Sequence, residues 1–133
     1  MASIEATCQT WAPRLLSLLR VIVGLLFIEH GTSKFFNFPS GGETGTVALF
    51  SLLGASGVLE LAGGALLTLG LFTRIIAFIL SGEMAFAYFI AHAPYSFFPL
   101  INRGEPAVFY CFLFLYVAAA GPGPWSLDAL RRK

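Results

Sequence analysis

The sequence predicts an all-α integral membrane protein: an up-and-down bundle of four transmembrane helices with a short C-terminal interfacial helix. Three observations predict it. Hydrophobic residues make up 57% of the 133 residues and charged residues only 11%; a soluble domain carries roughly 25% charged residues, so this chain cannot cover a water-facing surface. Four apolar stretches, separated by Gly- and Pro-rich breaks, approach the roughly 20 residues that cross a bilayer. Basic residues are distributed unequally between alternate connections. The mean hydropathy of +0.81 agrees, and a net charge of +1 gives no nucleic-acid footprint. Residues 1–133 read as a single membrane domain.

Span one is predicted over Leu15–Phe36, with Trp11 as an interfacial anchor and Pro13-Arg14 as the helix start. The run begins late, has full span length and lacks an A-x-A-like site, so a cleaved signal peptide is not expected. Asn37-Phe38-Pro39-Ser40-Gly41-Gly42 breaks the chain. Span two covers about Val47–Leu71 and is rich in Gly, with Gly70 and Thr73-Arg74 forming a tight turn. Span three covers Phe72–Ala91 and stops at His92-Ala93-Pro94. Span four begins near Pro106 and stops at Gly121-Pro122-Gly123-Pro124. Ser126 is placed to cap a tail helix with Asp128 in its first turn, and Trp125 marks the lipid interface.

The N-terminus, the Thr73-Arg74 turn and the C-terminus share one side and carry Arg14, Arg74, Arg131, Arg132 and Lys133; the other side has Lys34 and Arg103. The bias toward basic cytoplasmic loops predicts both termini in the cytoplasm of a bacterial-type inner membrane. Arg20, just inside span one, is expected to snorkel back to that side. Span four is short, and Pro94–Arg103 is too apolar for a solvated loop. The loop therefore either dips into the outer leaflet, placing Asn102-Arg103-Gly104-Glu105 at a cavity edge, or lies flat as an aromatic belt.

Glu29, Glu60, Glu83 and Glu105 each fall in or beside an apolar stretch. A carboxylate at membrane depth costs several kcal/mol unless paired, hydrated or neutral. With a rise of about 1.5 Å per residue, these acids, His30, His92, Lys34 and Arg103 all fall in the outer half or at the midplane. Ser56, Glu60 and Gly64 share a face of span two, which turns Glu60 inward. Glu29 and His30 project about 100° apart, so both cannot point straight at one centre.

Three readings of the acids stand. They are structural, with Glu60 or Glu83 paired to Lys34 or Arg103. They line a site for the polar head of a small apolar molecule such as a quinone, with Glu60 and Glu83 as a proton relay and Glu29, His30, Lys34, Tyr88, His92, Arg103 and Glu105 around the ligand. Or they bind a metal, although E-x-x-H and H-E-x-x-H spacings are absent and no metal site is assigned. For His92, capping of a helix C-terminus competes with a functional role. Cys8 and Cys111 form no C-x-x-C and lie toward opposite faces, so no dithiol motif or disulfide is expected.

The pieces Arg20…Gly24…Glu29-His30-Gly31…Lys34, Glu60-Leu61-Ala62-Gly63-Gly64…Leu69-Gly70-Leu71…Thr73-Arg74, Asn102-Arg103-Gly104-Glu105 and Gly121-Pro122-Gly123…Ser126-Leu127-Asp128, in this order, resemble the DoxX family of small four-helix membrane proteins. The resemblance covers roughly residues 14–130. It implies a redox-associated protein: some relatives are linked to thiosulfate:quinone oxidoreductase activity and others to complexes handling oxidative stress. It places Glu29, His30, Lys34, Glu60 and Glu105 at the matching positions, while thiol chemistry would need a partner. The expected ligand is quinone, with membrane lipid and a protein partner or second copy around the chain. The competing functions are a non-catalytic accessory or scaffold subunit and a small-molecule or proton transporter; whether the chain is an enzyme by itself stays open.

Overall fold

The computed structural model describes residues 3–41 and 46–133; Gly42 of the expected break lies outside them. All regular elements among the described residues are helical: α1 (Ile4–Phe36), α2 (Leu52–Leu69), α3 (Thr73–Ala87) continuing into a π-helical turn (Tyr88–His92), α4 (Pro99–Asn102), α5 (Glu105–Ala120) and α6 (Leu127–Arg131).

Local signals set the helix ends. Ser3 Oγ accepts the Ala6 N–H at 3.1 Å, and Glu5 occupies the first turn. Helix α1 therefore starts at Ile4 rather than near Leu15, and Pro13 lies inside it instead of opening it. Helix α2 starts at Leu52 rather than Val47, because Ser51 caps it by accepting the Gly54 N–H at 3.0 Å. The Val47 N–H instead returns to the Lys34 carbonyl at 2.8 Å. Gly70, at φ 69°, closes α2 in the left-handed conformation that glycine adopts without a Cβ penalty. Helix α3 starts and ends close to its expected limits. Its last turn widens: the Ala93 N–H reaches back five residues to the Tyr88 carbonyl at 2.8 Å.

The helices pack as two hairpins, α1 with α2 and α3 with α5, which meet along a looser α2–α3 seam. Small residues bring α1 and α2 close. A Cβ on Gly24 would sit 2.8 Å from the Gly64 carbonyl oxygen, so this crossing requires glycine. Val23, Phe27, Leu67, Ala77, Leu80, Met84, Phe114 and Val117 form the core between the hairpins. Large apolar side chains such as Ile22, Phe78, Phe86, Phe109 and Phe112 face outward, whereas Arg20, Glu60 and Asn102 are buried. An apolar exterior around a partly polar interior is the pattern of a protein solvated by lipid.

Helix α1, helix α2, and α3 with its π turn are long and apolar enough to cross a membrane. The 16 residues of α5 reach about 24 Å, short of a hydrocarbon core of about 30 Å. The chain is a multi-pass helical membrane protein.

The end that carries both termini is closed by polar contacts to backbone. Arg20, 1% exposed, does not snorkel to water. Its guanidinium donates to the Pro122 carbonyl and, at 2.8 Å, to the Trp125 carbonyl. Ser17 Oγ accepts the Trp125 N–H at 3.1 Å. Arg74 donates to the Ala118 and Ala119 carbonyls at the C-terminus of α5. The Asp128 carboxylate accepts the Phe72 and Thr73 N–H groups at 3.0 and 2.9 Å, capping α3 from the tail. The tail helix α6 is itself capped by Ser126, which accepts the Ala129 N–H at 3.1 Å.

Candidate functional site

The opposite half of the bundle holds a connected polar cluster. Lys34 extends from the last turn of α1 and donates to Glu60 Oε1 at 2.8 Å and to Ser56 Oγ at 2.9 Å. The Ser56 hydroxyl lies 3.3 Å from Glu60 Oε1 and donates to Glu83 Oε1 at 2.7 Å. With its single proton on Glu83, Ser56 is linked to Glu60 through Lys34, which donates to both. Lys34–Glu60 is the one ion pair among the described residues. The cluster therefore holds two acids and one base, and Glu83 has no counter-charge of its own. Each acid also keeps one buried oxygen, Glu60 Oε2 and Glu83 Oε2, without a hydrogen-bond partner. Buried polar atoms are rarely left in that state.

Glu60, 4% exposed, also borders a cavity of about 160 Å³ in the seam between the hairpins. Phe27 and His30 contribute from α1, Met84 and Ala87 from α3, His92 from the π turn, and Pro106, Ala107 and Tyr110 from the first turns of α5. The Phe27 and Tyr110 rings meet edge to face, 5.0 Å between centroids. A second, more open cavity of about 350 Å³ lies against Leu26, Glu29, His30, Ser33 and Pro39–Gly41. His30 borders both.

The remaining candidates divide. The Tyr88 hydroxyl donates to the Phe97 carbonyl at 2.6 Å and accepts from Asn102 Nδ2 at 3.2 Å, which ties it to the outer loop. Asn102 Nδ2 also donates to the Ser96 carbonyl at 2.7 Å, and its Oδ1 accepts the Gly104 N–H at 2.7 Å. His92 Nδ1 bonds to the Asn102 carbonyl at 3.0 Å. Arg103 and Glu105 are exposed and border neither cavity. Tyr95, Phe97, Phe98, Leu100 and Ile101 point outward from the loop, so the backbone there is satisfied by Tyr88, His92 and Asn102 rather than by burial of the aromatics. Among the described residues no three His, Cys, Asp or Glu side chains converge as metal ligands would. Cys8 and Cys111 are both free.

Three residues of the site, Ser56, Phe27 and Tyr110, are not among the candidates named from the sequence. Ser56 was placed on the inward face of α2, but its link to Glu83 depends on how α2 crosses α3. Tyr110 lies two residues after Val108 in a uniformly apolar helix, and its position one turn from Pro106-Ala107 was the available signal.

A family model for DoxX matches residues 15–93, a stretch containing every member of the Lys34–Ser56–Glu60–Glu83 cluster. An uncharacterized protein of Haemophilus influenzae is 47% identical over 125 residues, covering 90% of this chain and 92% of that protein. The "Putative oxidoreductase CatD" of Bacillus subtilis is 41% identical over 66 residues, covering 44% of this chain and 46% of that protein. No solved structure matches the chain. A match over more than half of the sequence, together with a near full-length relative, identifies the chain as a member of the DoxX family.

Proposed function

We propose that this protein is a redox-associated subunit of the bacterial-type inner membrane that holds quinone, or a similar one-ring molecule, in the cavity between its hairpins and acts with a protein partner. In this reading both termini are cytoplasmic, and α5 is the fourth span of an up-and-down bundle. The apolar loop before α5 supplies the height that its 16 residues lack. The family and the name of the Bacillus subtilis relative support a redox setting.

The observation that carries the reading is Glu60: buried, beside a cavity, with one free oxygen, and joined through Lys34 and Ser56 to a second carboxyl group. Reducing a quinone to a quinol takes two electrons and two protons. The partner supplies the electrons. The chain holds the ring against the paired Phe27 and Tyr110 side chains and passes protons along Glu83, Ser56 and Glu60. The cavity volume limits the ligand: an engineered cavity of about 150 Å³ holds one benzene ring, so about 160 Å³ admits no more than a single small ring and leaves substituents and any tail outside. Transport is disfavoured, because the apolar core of Phe27, Leu67, Leu80 and Phe114 separates Glu83 from Arg20.

Organic extraction of the purified protein is expected to yield quinone, with less recovered from Glu60→Gln. Equal recovery from both would count against the site.

A further inference from the structure

Helix α1 packs on α2 and α5 on α3, and α1 and α5 meet little along their own seam. In the half that carries both termini, this seam is an open surface groove of about 490 Å³. Leu15, Leu16, Leu19 and Ile22 line it from α1, and Tyr116 borders it near the C-terminus of α5. Its walls are apolar apart from the Tyr116 hydroxyl. Ala12 and Ile22 are the first and last lining residues on α1, and the helix rises about 15 Å between them. That is half of a hydrocarbon core of about 30 Å, the depth of a single leaflet. A partner helix would need a furrow across the whole core; this one has the length of an acyl chain.

A positive charge stands at the terminal end of this groove. Arg14 lies one helical turn before Leu18, another lining residue. Its guanidinium sits over the Trp11 ring, 5.2 Å from the centroid, at the level where tryptophan marks the headgroup region. Arg20 and Arg74, at the same end, are taken by backbone carbonyls. Arg14 has no ion pair among the described residues. The contact with Trp11 orders its side chain but supplies no counter-charge. A guanidinium pairs well with phosphate oxygens, and here it stands over a furrow one leaflet deep. We propose that the α1–α5 groove binds one anionic glycerophospholipid from the leaflet on the side of the termini, with an acyl chain along residues 15–22 and the phosphate at Arg14. The lipid fills the seam that the two hairpins leave open and joins α1 to α5. This site is separate from the cavity at Glu60 and does not depend on what that cavity holds.

The test is native mass spectrometry of the full-length protein in detergent, with dioleoyl-phosphatidylglycerol and dioleoyl-phosphatidylcholine offered together at equal concentration. Phosphatidylglycerol is expected to be retained about fivefold over phosphatidylcholine, the preference that one basic residue gives near an anionic lipid. Arg14→Gln should bring the ratio toward one. Arg132→Gln changes a basic residue of the same end outside the groove lining, and should leave the ratio as it was. Leu19→Trp fills the groove and should lower retention of both lipids. Equal retention of the two lipids by the unaltered protein, or retention of neither, overturns the proposal. A preference that survives Arg14→Gln, or that falls equally in Arg132→Gln, overturns the placing of the phosphate. Unchanged retention in Leu19→Trp means that the lipid sits elsewhere. A lipid-free dimer that Leu19→Trp dissociates assigns the groove to a second copy of the chain and overturns the lipid site.

Discussion

The two ends of this bundle partner their charges in opposite ways. At the terminal end, Arg20, Arg74 and Asp128 each meet backbone groups, carbonyls for the arginines and amides for the aspartate. These contacts tie α1, the α2–α3 turn, the end of α5 and the tail into one closed unit. In the opposite half, Lys34, Ser56, Glu60 and Glu83 meet one another. There the acids outnumber the base, two carboxyl oxygens stay unpartnered, and one of the two acids, Glu60, borders a cavity. Charge spent on the backbone stabilises the fold and offers nothing to a ligand. Charge held side chain to side chain, with acceptors in excess, can be rearranged by a proton or a donor group. Arg20, Arg74 and Asp128 hold the closed end together, and Lys34 and Glu60 carry the side-chain cluster at the other.

The largest expected effect breaks the closed end. Arg20→Met removes a buried cation and leaves the Pro122 and Trp125 carbonyls without their donors. Hydrogen bonds to charged groups are worth about 1.5–3 kcal/mol each, and orphaned acceptors add to the loss. A destabilisation of about 2–4 kcal/mol is expected, read from denaturant unfolding in detergent. Ligand affinity per folded molecule should stay unchanged. A variant of normal stability with weakened ligand binding would erase the contrast between the two ends.

A smaller effect sharpens the contrast at the open end. Lys34→Met strands two carboxyl groups without a cation, so it should destabilise the protein. Glu60→Gln in the same chain removes the excess charge and should recover part of the loss. A double-mutant cycle should therefore show a favourable coupling of about 1–3 kcal/mol between Lys34 and Glu60. Strict additivity would mean that the 2.8 Å contact does not hold the cluster together.

Much of this organisation was legible in the chain. Glu60 turns inward because Ser56, Glu60 and Gly64 share a face. Ser126 announces the tail helix, and Gly70 ends α2 where a left-handed residue is needed. What stayed hidden depends on partners distant in sequence. The burial of Arg20 requires carbonyls of the Gly121–Trp125 loop, acceptors that no side-chain pattern displays. The π turn at Tyr88–His92 goes with contacts from Tyr88 and His92 to Phe97 and Asn102 across the outer loop. The early start of α1 was missed because Ser3 and Glu5 cap a helix that Pro13 had suggested was not yet begun. Arg103 and Glu105 look like site residues by depth, yet the left-handed turn at Arg103, φ 60°, accompanies their exposure outside the cavity.

The smallest effect tests whether the closed end answers to pH through Asp128. Burial pushes this carboxyl upward, but the Thr73 and Phe72 N–H groups and the nearby Arg131 outweigh it and hold the group below the ordinary carboxylate value. A lowered value in the folded state means that the folded protein favours the charged form. The contribution is complete above the ordinary aspartate value of about 4 and is lost as pH falls through the lowered folded value. Asp128→Ala removes a cap that typically contributes about 0.5–2 kcal/mol, and it should cost that much near neutral pH, with the difference from the unaltered protein shrinking on acidification. Asp128→Asn should keep part of the cap and lose the pH dependence. Thermal unfolding at pH 7 and at pH 3 separates these outcomes. A gap between the unaltered protein and Asp128→Ala that stays constant across that range would show that the carboxylate charge does not help hold the tail to α3.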